Sequence, residues 1–230
     1  MLIGGLQKLT LLDYPNKVAA IVFTYGCNFA CSFCHNPELI RDNKNLRICE
    51  SEVFEFLERR RGLLEGVCIT GGEPTLHSDL PDFIKKIKEL GFAVKLDTNG
   101  TNPAMLQGLI KNKMIDYIAM DIKAPLGRYE EITRRKIDLL AIEKSIKMIM
   151  ESGLDYEFRS TLVPGFHEAK DVIEMAKLIA GAKNYYLQNF ISQGKMLDQT
   201  WEKKRSFMPE EMAEFRRQAE PQVTNCQIRL

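Results

Sequence analysis

Gly26-Cys27-Asn28-Phe29-Ala30-Cys31-Ser32-Phe33-Cys34-His35-Asn36-Pro37 carries three cysteines at the spacing CxxxCxxC, directly after the apolar run Val18 to Thr24. Three thiolates without a fourth is the ligand count of a four-iron, four-sulfur cluster with one iron left open to an outside molecule, because a fully tethered cluster takes four cysteines. The same logic separates closed structural zinc sites from open catalytic ones. Zinc itself fits this spacing poorly: ribbon-type sites take cysteines as two C-x2-C pairs, and only Cys31 and Cys34 form such a pair. Cys49, Cys68 and Cys226 are scattered and read as structural residues. Cys68, within Val67-Cys68-Ile69, reads as a buried small hydrophobe.

Outward from the cysteine loop, short β-branched runs alternate with amphipathic stretches. Strands are expected at Val18 to Thr24, Val67 to Thr70, Phe92 to Leu96, Ile115 to Met120, Tyr156 to Leu162 and Tyr185 to Phe190. Between them helices are expected after a Ser51 cap through Leu57, over Asp79 to Leu90, from Pro103 to about Lys111, over Ala141 to Glu151 and over Glu168 to Ala180. Arg128 to Lys136 is a charged stretch. Six strands alternating with helices imply an α/β fold with a parallel sheet, and right-handed crossovers roll such a sheet into a partial (β/α)6 barrel. A helix Pro209 to Ala219 and a strand Val223 to Arg229 follow. A single domain over residues 1–230 is expected, with a core at about 17–192, a cover at 1–16 in which Ile3 to Leu12 closes the barrel floor, and an extension at 193–230.

In such folds ligands gather at the carboxyl ends of the strands. The cysteine loop follows the first strand, Gly71-Gly72-Glu73-Pro74 the second, Asp97-Thr98-Asn99-Gly100 the third, Asp121-Ile122-Lys123 the fourth and Val163-Pro164-Gly165 the fifth. A lone GGEP is better explained by an ordinary Gly/Pro turn. Convergence of five loops on one end of the sheet is the stronger signal.

Composition excludes several classes. Lys+Arg 32 against Asp+Glu 31 leaves a net charge of +1, so no global field recruits nucleic acid or an anionic membrane. Met1 to Leu6 lacks the basic and apolar regions of a secretory signal, and no apolar run approaches the ~20 residues of a membrane span. A cytoplasmic protein is expected, in which the six cysteines are ligands and reduced thiols rather than disulfides.

The chain resembles the radical S-adenosylmethionine (SAM) enzymes, whose cluster motif CxxxCxΦC has an aromatic at Φ, here Phe33, and whose second mark is a GGE motif, here Gly71-Gly72-Glu73. More narrowly, Asp13-Tyr14-Pro15, Val22-Phe23-Thr24, Cys34-His35-Asn36-Pro37 and Asp97-Thr98-Asn99-Gly100 resemble the activating enzymes of glycyl radical proteins, nearest to the anaerobic ribonucleoside-triphosphate reductase activating proteins. The resemblance covers about Gly5 to Gly194. It implies one 4Fe-4S cluster held by Cys27, Cys31 and Cys34, with SAM chelating the open iron and cleaved reductively to a 5'-deoxyadenosyl radical. That radical takes a hydrogen from a glycine of the partner enzyme. No second cysteine cluster is present in the sequence, so electrons are expected from an external flavodoxin or ferredoxin.

Motif by motif, the resemblance implies that Phe33 and His35 place the adenine, that Gly71 and Gly72 let the backbone approach the ammonium of the cofactor, and that Glu73 adds charge beside it. Glu73 as a turn-stabilising carboxylate is the competing role. Asp97, Thr98 and Asp121 match the ligands of a monovalent cation in formate-lyase activators, against helix capping as the alternative. Lys123 is assigned to the SAM carboxylate, against a simple exposed lysine. Arg159, on a strand expected to be buried, needs a partner there, and an anionic cofactor nearby is the expected one. Ile191 stands where the formate-lyase activators have a cofactor-contacting histidine; either Gln188 or Asn189 replaces it, or the adenosine is held differently. The departure weighs against formate lyase as the target. Two other classes remain open from the residues alone: a radical SAM enzyme acting on a small molecule or another macromolecule, and a non-enzymatic electron carrier or zinc module.

Overall fold

The computed structural model describes residues 1–40, 47–192 and 194–229. Gln193 and Leu230, the two ends of the expected extension, lie outside the described residues. The chain divides into two compact units. The first comprises Met1–Asn28, Glu38–Thr98 and Asn102–Ile118, and the second Phe29–Pro37, Asn99–Thr101 and Ala119–Leu230. The short helix α1, Pro37–Ile40, and the strand β5, Tyr117–Asp121, fall on the division.

In the first unit β1 (Ile3–Thr10), β2 (Ala19–Thr24), β3 (Gly66–Gly71), β4 (Ala93–Thr98) and the start of β5 follow one another in sheet order. β2, β3 and β4 are parallel, with Val22 opposite Ile69 and Ile69 opposite Leu96. These strands are continuous apolar runs because both faces are covered: Ala20, Val22, Val67, Ile69, Val94 and Leu96 are all buried. Ile3 to Leu12 contributes a strand that the sequence reading did not expect. Its β1 portion pairs antiparallel with β2 as the edge of the order, and Leu11 and Leu12 are exposed.

The helices of this unit are α2 (Glu50–Glu58), α3 (Leu80–Glu89) and α4 (Pro103–Lys111). α3 turns Leu80, Phe83, Ile84 and Ile87 inward at spacings that share one helical face, and it packs on β4. Ser51 is not a cap. The N-cap of α2 is Cys49, whose N–H is taken by the Glu52 carboxylate at 3.1 Å, so Ser51 lies inside the first turn. Asn102 caps α4 by accepting the Met105 N–H, with Pro103 at the first helical position.

The second unit holds the end of β5, then α5 (Tyr129–Thr133), α6 (Leu139–Glu151), β6 (Asp155–Leu162), α7 (Ala169–Leu178), β7 (Tyr185–Asn189), α8 (Pro209–Ala219) and β8 (Cys226–Arg229). β6, β7 and β8 are parallel. The charged stretch at 128–136 contains α5, which buries Tyr129, Ile132 and Thr133 and stops where Arg134 turns left-handed at φ 54°. α8 packs against α7 and β8.

Candidate active site

The chain order strand–loop–helix puts each motif at the carboxyl end of its strand. In the first unit, β2 runs through Tyr25 and Gly26 into Cys27. The Gly72 N–H donates to Thr24 O at 2.8 Å and the Glu73 N–H to Gly26 O at 2.7 Å. Gly71 has φ 110°, and a Cβ there would stand 2.5 Å from Thr24 N; one at Gly72 would overlap Gly26 O. The two glycines are thus required for the GGE turn to lie on the backbone leading to Cys27.

Glu73 is buried, and its Oε1 accepts from Thr75 N–H at 3.1 Å, Thr75 Oγ1 at 2.5 Å and Thr98 Oγ1 at 2.8 Å. It therefore stabilises the turn and ties the end of β3 to the end of β4. Asp97 receives Lys95 Nζ on Oδ1 at 2.5 Å. Lys95 is buried, 3.9 Å from Cys68 Sγ and over the Tyr117 ring. No motif pointed to Lys95; its one signal was strand alternation, which puts residues 95 and 97 on the same face.

In the second unit, Cys31 and Cys34 share a turn closed by Cys34 N–H to Cys31 O at 3.0 Å. The loop is pinned on two sides, by Ala30 N–H to Thr133 O at 2.8 Å and by Asp198 N–H to Ser32 O at 3.0 Å. Phe33 is buried with its ring centroid 5.9 Å from that of Phe166 and 6.4 Å from that of Trp201, and the latter two stack at 4.7 Å. Exposed His35 approaches Phe190, whose ring meets Trp201 edge-on. Burial pushes the Cys31 thiol up to about 11, against the pull of the Lys123 ammonium.

Asp121 at the end of β5 accepts Lys123 Nζ on Oδ2 at 2.9 Å and Arg159 Nε on Oδ1 at 3.0 Å. Burial raises its pKa, but Arg159 and Lys123 outweigh it and hold the carboxyl below the usual range. For Lys123 burial acts downward and Asp121 prevails, so the ammonium stays charged. His167 accepts the Val163 N–H on Nδ1 and donates from Nε2 to Lys123 O at 2.9 Å, which fixes its tautomer and joins the loops after β5 and β6. The Asn189 amide donates to Phe207 O at 2.8 Å and accepts the Phe207 N–H at 3.1 Å. Gln188 is half-buried and Ile191 exposed.

Two observations bear on what the site holds. No disulfide joins any of the six cysteines. The Ser32 hydroxyl, between Cys31 and Phe33, is buried and without a hydrogen-bond partner, a donor suited to a sulfide or thiolate brought in by a bound cluster. The donor set fits an iron–sulfur cluster. Among the described residues no group of three or more His, Cys, Asp or Glu is placed to hold a single metal ion, and no helix is long and apolar enough to cross a membrane. A monovalent cation fits less well, because Asp97 and Asp121 already carry side-chain cations.

Comparison with known proteins agrees with this chemistry. The family model for the radical SAM superfamily matches residues 21–179. A protein of Methanocaldococcus jannaschii, provisionally named a glycyl-radical enzyme activating enzyme, is 36% identical over 194 residues, covering 82% of this chain and 80% of its own. The pyruvate formate-lyase-activating enzyme of Clostridium pasteurianum is 26% identical, over 79% of this chain and 77% of its own. Among solved structures, Streptococcus suis SuiB bound to S-adenosylmethionine superposes with a TM-score of 0.65 at 17% identity, over 88% of this chain and 48% of SuiB. At that identity the likeness is one of fold.

Proposed function

The chain belongs to the radical SAM superfamily, and from that premise we propose that it activates a glycyl radical enzyme, the anaerobic ribonucleoside-triphosphate reductase. Radical SAM enzymes use a 4Fe-4S cluster and SAM, and when bound these supply the 5'-deoxyadenosyl radical that takes a hydrogen from a glycine Cα. The observation that carries the reading is the pinned turn of Cys31 and Cys34, with the buried, unsatisfied hydroxyl of Ser32 inside it, in a CxxxCxxC sequence that begins at Cys27.

The residues of the chain have separable tasks. Cys27, Cys31 and Cys34 hold the cluster, and Ser32 donates a hydrogen bond toward it. Lys123, its charge secured by Asp121, offers an ammonium to the SAM carboxylate, and Arg159 fixes Asp121. Gly71 and Gly72 bring the GGE backbone onto the residues leading to Cys27, where its peptide groups would be available to the cofactor ammonium. The packed rings of Phe33, Phe166, Phe190 and Trp201 keep water from the loop. His35 and Phe33 are assigned to the adenine. A flavodoxin or ferredoxin delivers electrons, in a reducing cytoplasm.

A formate lyase is the second partner considered, favoured by the likeness to the clostridial activator and disfavoured by Ile191. The test is anaerobic reconstitution with iron and sulfide, followed by reduction with dithionite and SAM. 5'-Deoxyadenosine is expected from the wild type and not from Cys27→Ala. Electron paramagnetic resonance with candidate partners is expected to give a glycine-centred doublet with the anaerobic reductase. A doublet with a formate lyase alone would reassign the partner, and no doublet with any partner would favour a small-molecule substrate.

A further inference from the structure

In the second unit, charges alternate from β8 to the end of β5. Arg229 of β8 sets Nη1 and Nη2 2.8 and 2.6 Å from the two carboxylate oxygens of Glu157, and its guanidinium lies 3.5 Å from the centroid of the Tyr186 ring. Only 1% of the Glu157 side chain is exposed. Arg159, two residues along β6 and on the same face, places Nη1 3.9 Å from Glu157 Oε1 while its Nε serves Asp121 Oδ1 at 3.0 Å. Asp121 then holds Lys123 at 2.9 Å. The sequence from strand to strand is Arg229, Glu157, Arg159, Asp121, Lys123.

A carboxylate enclosed as Glu157 is needs a cation at bonding distance. Arg229 supplies it with a planar, bidentate pair, the geometry for which a guanidinium is suited. Arg159 is the cation next in line, already at the edge of ion-pair distance. Without Arg229, Glu157 draws Arg159 toward itself and away from Asp121, and Asp121 is left to Lys123 alone.

We propose that Arg229 is a positioning residue for the cofactor pocket: by satisfying Glu157 it holds Arg159 on Asp121 and so sets the direction of Lys123. Arg229 itself touches neither Asp121 nor Lys123. The inference rests on the assignment of Lys123 to the SAM carboxylate made above.

The test is SAM affinity of the anaerobically reconstituted protein by equilibrium binding, beside steady-state KM and kcat and the thermal midpoint. Arg229→Met is expected to weaken SAM binding about tenfold, the scale of a relayed coupling, with KM changing more than kcat. The double variant Glu157→Gln/Arg229→Met is expected to recover to within about threefold of wild type, because a neutral glutamine no longer draws Arg159. Unchanged affinity in Arg229→Met overturns the proposal. So does a double variant as weak as the single, which would mean that Arg229 acts through the packing of β8 and Tyr186. Should Arg229→Met not fold, Arg229→Lys keeps the charge and loses the bidentate pair; a smaller loss in the same direction supports the proposal, and wild-type affinity overturns it. Failure of the wild-type protein to bind SAM overturns the functional assignment instead, and is seen before any substitution is made.

Discussion

Lys95 Nζ lies 2.5 Å from Asp97 Oδ1 at the end of β4, and 1% of the lysine side chain meets solvent. An ammonium so placed is a built-in counter-charge for the aspartate that the family resemblance assigned to a monovalent cation. A loose inorganic cation gains little beside a carboxylate that already carries a fixed positive charge.

SAM affinity is therefore expected to be the same in potassium, sodium or choline salts at constant ionic strength. A drop of more than about tenfold in choline would show that a bound cation is needed after all. Lys95→Met is expected to cost about 3–5 kcal/mol in denaturant unfolding, the range for breaking one side of a buried ion pair, and Asp97→Asn in the same chain is expected to recover part of it.

Trp201 couples the residues after β7 to the cysteine loop, since it stacks on Phe166 and reaches Phe33 while Asp198 holds Ser32 O. Trp201→Ala is expected to destabilise the protein by about 3–5 kcal/mol, as for other buried aromatic truncations. It is also expected to lower iron retained after desalting of the reconstituted protein. Trp201→Phe keeps a stackable ring and is expected to lose less on both measures. Iron content equal to wild type in Trp201→Ala would separate the aromatic cluster from the cluster loop.

The strand ends were legible because parallel strands buried on both faces leave continuous apolar runs, and the loops after them carry the residues with unusual chemistry. The start of α4 was legible from Pro103 behind the Asn102 cap, whereas α6 starts two residues before the expected Ala141, where the Asp138 side chain accepts the Leu140 N–H. Ser51 misled because a capping-type residue stood two positions past the true N-cap, Cys49, which caps through its partner Glu52. α5 was hidden in a charged stretch, its buried face being only Tyr129, Ile132 and Thr133. β1 was misplaced because its apolar residues suited a cover as well as an edge strand.

The site itself was legible as motifs and illegible as contacts. Glu73 could be read from GGE as a cofactor residue or as a turn-stabilising carboxylate, and only the structure shows that its Oε1 accepts from Thr75 and Thr98. Phe33, Phe166, Phe190 and Trp201 are too far apart in sequence for any periodicity to associate them. Lys95 looked like an ordinary polar residue in a strand, and only the identity of the residue two places on hinted at its partner.

Two glycines offer a paired test of close approach. Gly72→Ala would press a methyl group into Gly26 O, and the turn beside Cys27 must move. The cost is expected at roughly 1–3 kcal/mol, the scale of overpacking, with loss of cluster on reconstitution. Gly108 lies in α4, and a methyl group added there would meet nothing within 4 Å. Gly108→Ala is expected to stabilise the protein by about 0.5–1 kcal/mol and leave iron content unchanged. Equal behaviour of the two variants would remove the argument for contact between the GGE turn and Gly26.

His167 sets an acid limit on stability. Its ring is buried, both nitrogens are committed, and Nδ1 must stay unprotonated to accept the Val163 N–H. Burial is the main cause of its lowered pKa, with Asp171 pulling upward and Arg128 downward among the nearby charges. The unfolded chain takes up this proton near pH 6.5 and the folded protein only below it. The stabilisation is thus complete above about pH 6.5 and is lost as pH falls through the lowered folded value, with a slope of at most about 1.4 kcal/mol per pH unit from one proton. His167→Gln cannot take up the proton. It is expected to be less stable than wild type at pH 7.5, where its hydrogen bonds are incompletely replaced, and to show a shallower fall in stability between pH 6.5 and 5. Parallel pH profiles for the two proteins in urea unfolding would show that protonation of His167 does not limit stability there, and that the junction between Lys123 and Val163 is held by its geometry alone.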